Sequence, residues 1–249
     1  MVRGPIEIER IVISIFNLDN DVVKYLGISI PKDLSNIYAI NYLPLNKEIK
    51  ADLNRWTLLP LDLHNRIDII KMNILPRLLF FFQSIPVEVP SKQFIEWRRM
   101  FSVFIWKGLK PRVRYITLQL PKDKGGLSLP NMEHYYKSAQ LRYLIYWCNP
   151  CYSAKWKNLD LSQLDIPLQI LLGDRSLYSS VKEKLNCWTK TPLNIWFGEC
   201  LKLKLENHIK ILRWVANNKD FGPSHMDGRY KNWSFKGITT YCLILDGGL

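Results

Sequence analysis

Acidic side chains are the first residues in this sequence that could do chemistry, because two-metal enzymes hold their ions with closely spaced carboxylates. The nearest approach to such a pair is Asp19-Asn20-Asp21, and no two acidic residues are adjacent anywhere in the 249-residue chain. A turn is the simpler interpretation of this motif. The sequence therefore predicts no catalytic residue and no catalytic metal.

Cysteine and histidine offer one further metal-like spacing. Cys148 and Cys151 are separated as in a zinc or redox site, but neither Cys187 nor His208 stands at a usual interval for the remaining ligands. Buried structural thiols are the preferred interpretation. An odd number of cysteines without a secretory signal favours a reducing compartment over a disulfide framework.

Nucleophile and phosphate-loop motifs give no better candidate. The sequence contains no GxSxG, GxxxxGK[ST] or GxGxxG pattern, and Gly125-Gly126 lacks the strand-to-helix context of a phosphate cradle. We therefore expect no cofactor, no small-molecule substrate and no enzymatic activity of this chain by itself.

Positive charge is the strongest functional signal. Of the net charge of +13, residues 98–124 carry eight cations against Asp123, which is +7, and the other 222 residues carry +6. The eight cations are Arg98, Arg99, Lys107, Lys110, Arg112, Arg114, Lys122 and Lys124. Clustered cations attract polyanions, most often nucleic acid and next an anionic membrane surface. A solvated basic face without a partner is the alternative.

Four tryptophans allow two interpretations. Trp97, Trp106, Trp147 and Trp156 could stack on bases, or they could belong to the core, as helical spacing more often indicates.

Hydrophobic spacing places the eight cations in a mainly helical protein. It predicts a strand over 22–30, paired with the apolar run at 11–16, and then helices over 35–59, with a break near Pro44, and over 61–83, with a kink at Pro76. Further helices are predicted from a Ser91 cap to Gly108 and from an Asn131 cap to about residue 147, separated by a small β-hairpin near 112–129.

The C-terminal part gives weaker patterns. We expect a loop-rich span from 150 to about 191, then a helix near 194–217. The apolar stretch over 61–83 carries charged residues and is expected to be a buried helix, not a membrane span. With Glu7 and Glu9 in the N-terminal segment, a signal peptide is not expected, which predicts a cytoplasmic or nuclear protein that is not secreted.

Several blocks together resemble a known family. They are KYLGISI (24–30), NRWTLLPLDLHNRIDIIKMNILPRLLFFFQSIP (54–86), FSVFIWKG (101–108) and KGGLSLPNMEHYYKSAQLRYLIYW (124–147). In this order they resemble the part of a LINE-type non-LTR retrotransposon reverse transcriptase (vertebrate LINE-one clade) that follows the catalytic palm. WSFKGITTYCLIL (233–245) fits the weaker downstream pattern of that family.

The resemblance implies a domain order and a set of contacts. Residues 1–33 would be the end of the palm, 34–149 a helical thumb-like domain, and 150–249 a mostly helical C-terminal region. In that family the thumb closes on the template–primer duplex, while an upstream palm supplies the catalytic aspartates. The eight cations would then contact phosphates, and Tyr25 would position the primer end.

Four functional hypotheses follow. The leading one is a non-catalytic reverse-transcriptase fragment that binds RNA or DNA without sequence preference, and the alternative is part of an active RNA-directed DNA polymerase whose palm is encoded upstream. A third is an interaction module or membrane-surface binder. A fourth is a chain without a physiological role, whose exposed sheet edges favour aggregation.

Overall fold

A computed structural model describes residues 22–149, 151–161, 168–173 and 175–205. These residues are mainly helical and contain one two-stranded antiparallel sheet, which confirms the predicted mainly α fold with an N-terminal β-hairpin. The elements are β1 (Val22–Tyr25), β2 (Ile28–Pro31), α1 (Ile37–Thr57), α2 (Leu63–Ile69), α3 (Leu75–Ser84), α4 (Ser91–Ile105), α5 (Tyr115–Gln119), α6 (Met132–Cys148), α7 (Lys155–Leu161), α8 (Leu168–Gly173), α9 (Arg175–Val181) and α10 (Cys187–Lys202). Short 3₁₀ turns occupy Leu34–Asn36, Lys122–Lys124 and Lys182–Lys184.

The N-terminal hairpin corrects the prediction of one strand over 22–30. β1 and β2 pair in register from Val22↔Pro31 to Tyr25↔Ile28. The chain reverses at Leu26 and Gly27, whose φ angles are both positive, as a tight hairpin turn requires. Both strands are rich in β-branched and aromatic residues, so composition alone did not show the reversal. The predicted partner at 11–16 lies outside the described residues.

Helix α1 runs through Pro44 without the predicted break. A proline inside a helix removes one hydrogen bond and clashes with the preceding turn, at a cost of about 3 kcal/mol. Tyr42, Leu45 and Ile49 are all buried on either side of Pro44, so tertiary packing outweighs this penalty. The side chain of Asn41 attaches the sheet to α1, since it accepts a hydrogen bond from the Ser29 backbone N–H at 2.9 Å and donates to the Ser29 carbonyl at 2.7 Å.

The predicted helix over 61–83 is interrupted just before Pro76, where a kink was predicted. Residues Ile70–Ile74 form a π-helical turn between α2 and α3, and Pro76 lies in the first turn of α3. A proline there costs no hydrogen bond, because the first N–H groups of a helix have no intrahelical acceptor. The π turn inserts an extra residue into the helical spiral just before this point.

Two capping predictions have different outcomes. Asn131 caps α6, accepting hydrogen bonds from the backbone N–H groups of Glu133 and His134 at 3.1 and 3.2 Å. Ser91 does not cap α4, because the N-cap residue is Pro90 and no side chain provides a cap there. Ser91 is instead the first helical residue.

The β-hairpin predicted near 112–129 is wrong. Residues Tyr115–Gln119 form α5, and Leu127 and Leu129 have backbone N–H groups that both donate to the carbonyl of Leu118, at 3.1 and 2.9 Å. The segment after the turn therefore crosses over the end of α5 and does not run beside it as a strand. A lone two-stranded ribbon is marginally stable, whereas the helical turn buries Leu118.

Contacts divide the chain into two compact units, Met1–Tyr136 and Lys137–Leu249. The first unit has an aromatic core in which the Phe82 ring lies 5.8 Å from Trp97 and 5.4 Å from Tyr136, centroid to centroid. The predicted apolar stripe of α4 is confirmed at Trp97, Phe101, Phe104 and Ile105, all of which are buried.

The second unit corrects the loop-rich interpretation of 150–191. Its described residues in that span include α7, α8 and α9. α10 begins at Cys187, earlier than the predicted helix at 194, because Asn186 caps it through the Thr189 backbone N–H at 2.8 Å. The predicted continuation to 217 lies outside the described residues beyond 205. The core of this unit comprises Leu144, Trp147, Leu168, Leu171, Leu172, Tyr178, Leu193 and Phe197.

Candidate nucleic-acid interface

Arg66 holds the end of α4, from which the cationic segment starts. The residue is 1% exposed. Its guanidinium donates hydrogen bonds of 2.8–3.2 Å to four backbone carbonyls, those of Thr57, Leu59, Leu61 and Phe104. Burial lowers the pKa of Arg66 from its ordinary value, but an arginine remains charged in proteins. A buried cation thus donates to carbonyls at the C-terminal end of α4, at that of α1 and in the segment that follows α1.

A left-handed turn then directs the chain away from α4. Lys107 and Gly108 have φ angles of +53° and +76°, and the Gly108 N–H donates to the Val103 carbonyl at 2.9 Å. This bond satisfies a carbonyl in the last turn of the helix, as in other glycine C-caps. The predicted helix end at Gly108 is confirmed, and Lys107 is exposed within the turn.

The segment after this turn returns along α4. Pro111, Arg112, Val113, Arg114 and Tyr115 face Ser102 and Trp106 across a groove of about 300 Å³. Arg112 and Arg114 are both exposed at this groove. The return therefore brings two cations of the loop beside the last turn of α4.

Arg98 joins the helix to the returned segment. Its guanidinium lies 5.1 Å from the centroid of the Tyr115 ring, within the range of a cation–π contact. Burial raises the pKa of Tyr115 to about 12, although the nearby positive charge of Arg98 opposes this shift. Tyr115 is therefore a neutral phenol at physiological pH. Its ring keeps Arg98 close to the segment that carries Arg112 and Arg114.

Lys122 and Lys124 lie on a separate turn, one short helix further along the chain. Neither residue lines the groove. Their turn is closed by the Gly126 backbone N–H, which donates to the Pro121 carbonyl at 3.0 Å. Lys71 fastens the following residues by donating from Nζ to the Leu127 carbonyl at 2.9 Å.

All eight predicted cations are exposed, and none forms an ion pair with any residue in the described ranges. Two other cations of the same unit, Arg77 and Lys71, are ion-paired. Arg77 contacts both Glu48 and Asp52, at 2.7 and 2.8 Å, and Lys71 contacts Asp68 at 3.2 Å. The cluster therefore keeps its charge available to an external anion.

Tyr25 lies apart from the groove. It is the last residue of β1, pairs with Ile28 and is 53% exposed. Its proposed primer-positioning role remains a prediction.

The structure separates the four tryptophans that the sequence left undecided. Trp97 and Trp147 are buried, at 0% and 3% exposure, and belong to cores. Trp156 packs in a group of rings with Tyr143, Tyr146 and Tyr152. Trp106 is half-buried and lines the groove, and no aromatic ring among the described residues packs on it. Helical spacing could not distinguish these cases, because it does not show where the partner elements lie.

The cysteines correct one further prediction. Cys200 is buried as expected, but Cys148 and Cys151 are exposed, because they lie at and just beyond the C-terminal end of α6. Within the described ranges, no three His, Cys, Asp or Glu side chains gather into a possible metal site.

No helix in that part of the chain is long and apolar enough to cross a membrane. A scan of the sequence against models of known protein families gives no match.

Proposed function

We propose that this chain binds the sugar–phosphate backbone of RNA or DNA without reading sequence and does not itself catalyse polymerisation. One observation carries this proposal: eight clustered cations are exposed and free of ion pairs among the described residues, while Arg77 and Lys71 nearby in the chain are ion-paired. Cations that replace the counterions of nucleic acid gain affinity without contacting bases.

The resemblance to LINE-type reverse transcriptases supports a template–primer duplex as the partner. Residues 34–149 would act as the thumb, with phosphates bound along the cluster, and Tyr25 would lie towards the primer end. We expect the cytoplasm or the nucleus as the location, since both contain RNA or DNA. A small-molecule substrate, a cofactor and a membrane partner are not part of the proposal.

Salt dependence of binding tests the proposal directly. A protein that contacts about six phosphates of duplex DNA loses affinity with a log–log slope near −5 against salt concentration. Affinity should be measured by fluorescence anisotropy with an RNA duplex, a DNA duplex and a hybrid duplex. A flat salt response on all three would contradict the proposal, as would tighter binding to anionic vesicles than to nucleic acid.

The same resemblance supports a second candidate function. The chain would be one part of an active RNA-directed DNA polymerase whose catalytic palm is encoded upstream. Sequencing the genomic region 5′ of the Met1 codon tests this: an in-frame palm motif with paired aspartates supports it, and a stop-interrupted region counts against it.

A further inference from the structure

The groove beside Trp106 offers more than phosphate contacts. Its volume of about 300 Å³ is at the lower end of the range for small-molecule sites. Its walls combine two aromatic side chains, Trp106 and Tyr115, with the hydroxyl-bearing Ser102 and two arginines. A flat aromatic ligand that carries negative charge at its edge matches this set of groups.

Trp106 is suited to contact such a ligand. It is half-buried, so part of its side chain is reachable from solvent, and none of the ring–ring contacts among the described residues involves it. Its backbone is also held, because the Trp106 N–H donates to the Ser102 carbonyl at 3.1 Å and the Leu109 N–H donates to the Trp106 carbonyl at 2.9 Å. A positioned aromatic ring next to cations is the usual platform for bases of a single strand.

The arginines supply the matching charge. Arg112 and Arg114 line the groove, are exposed and form no ion pair with a described residue. Phosphates on either side of an inserted base would therefore meet a guanidinium. Bases inside an intact duplex are already stacked on each other and cannot enter the groove without being extruded.

We propose that this groove takes one unpaired base of a nucleic-acid strand, stacked on Trp106, with the neighbouring phosphates on Arg112 and Arg114. The inference rests on the proposed function and narrows its ligand to nucleic acid with at least one unpaired nucleotide. A duplex with a single-stranded overhang satisfies both the groove and the surrounding cations.

A binding experiment on the unmodified protein tests this inference without requiring a variant to fold. The probes are a short thymidine oligonucleotide, the same strand with abasic sites in its centre, and a blunt DNA duplex. Removing the bases should weaken binding by at least about five-fold, since base–aromatic stacking is worth that much or more. Equal affinity for the intact and the abasic strand would overturn the inference.

Variants of Trp106 assign the effect to the groove. Trp106→Ala should lose the preference for the intact strand over the abasic strand, Trp106→Phe should retain it, and both should bind the blunt duplex as the wild type does. A Trp106→Ala variant that still discriminates the two strands would overturn the inference, and so would an equal loss of duplex binding.

The outcomes also separate the inference from the function on which it rests. If the duplex and the abasic strand bind with steep salt dependence while bases add nothing, only the groove assignment fails. If the wild type binds none of the three probes at low salt, the proposed function fails as well.

Discussion

The guanidinium of Arg98 lies over the ring of Tyr115, 5.1 Å from its centroid. The contact links the exposed side of α4 to the start of α5, between which the chain passes through four of the eight cations. Helical spacing placed Arg98 off the apolar stripe of α4, but only the returning loop brings it against Tyr115, the residue that follows Arg114 and lines the groove. The contact therefore holds α4 against the end of the loop that carries Arg112 and Arg114.

Charge reversal at the groove should weaken nucleic-acid binding more than the same charge change elsewhere. In Arg112→Glu/Arg114→Glu, two phosphate contacts are lost, so the log–log salt slope on duplex DNA should become shallower by about 2. The matched control is Lys47→Glu/Lys50→Glu, which changes the net charge equally at two exposed positions of α1. Anisotropy titrations at several salt concentrations measure both slopes. Equal slopes for the two variants would contradict a local interface.

Removing the Arg66 side chain should strongly destabilise the protein. Arg66→Ala removes a donor from four carbonyl oxygens. Those of Leu59 and Phe104 keep a backbone N–H donor, whereas those of Thr57 and Leu61 lose the Arg66 donor, and each unsatisfied buried group costs about 1–3 kcal/mol. We expect a loss of at least about 3 kcal/mol in the free energy of unfolding, measured by urea denaturation. Arg55→Ala is the control: that side chain is 71% exposed, and its removal should change stability by less than about 1 kcal/mol. A similar change in the free energy of unfolding for the two variants would show that Arg66 does not hold the end of α4.

The two glycine variants Gly126→Ala and Gly198→Ala should have opposite effects. A Cβ at Gly126 would lie 2.0 Å from the Leu120 carbonyl oxygen, a backbone atom that cannot move away cheaply. Gly126→Ala should therefore cost roughly 2–4 kcal/mol. Gly198 lies in α10, and a methyl group added there would meet no atom within 4 Å, so Gly198→Ala should gain about 0.5–1 kcal/mol from helix propensity. Thermal melts followed by circular dichroism measure both changes, and a neutral Gly126→Ala would contradict the close crossing of the chain over Leu120.

Stability should decrease at alkaline pH partly because of Tyr115. Its folded-state pKa of about 12 exceeds the ordinary value of 10.0, so the folded protein holds this proton more tightly than the unfolded chain does. The resulting contribution to stability is fully present below about pH 10 and is lost as the pH rises towards 12. Burial also raises the pKa of Tyr136, so a residual pH dependence will remain in any Tyr115 variant.

Tyr115→Phe isolates this contribution. The variant keeps the ring under Arg98 but has no ionisable group, so its urea midpoint should fall less steeply between pH 10 and 12 than that of the wild type. Identical slopes in the two proteins would show that Tyr115 ionises in the folded state as readily as in the unfolded chain.

Several features of this fold were predictable because they depend on neighbouring residues. The Asn131 cap, the glycine end of α4 and its apolar stripe each follow from residues within a few positions of one another. The density of charge between 98 and 124 is likewise a property of the sequence itself. The absence of adjacent acidic residues, and the expectation of no catalysis based on it, also follow from the sequence alone.

The sequence by itself determined the mainly helical class, the position of the cationic cluster and the local helix ends. Only the tertiary structure decided that 115–119 is a helix, that the strand over 22–30 reverses at Gly27, and that Trp106 rather than Trp97 reaches solvent. Short runs of residues fit a period of 2 or of 3.6 almost equally well, so short elements are decided by what they pack against. Burial and pairing are set by residues far away in the chain, such as Arg66 reaching the carbonyl of Phe104, and no local pattern contains that contact.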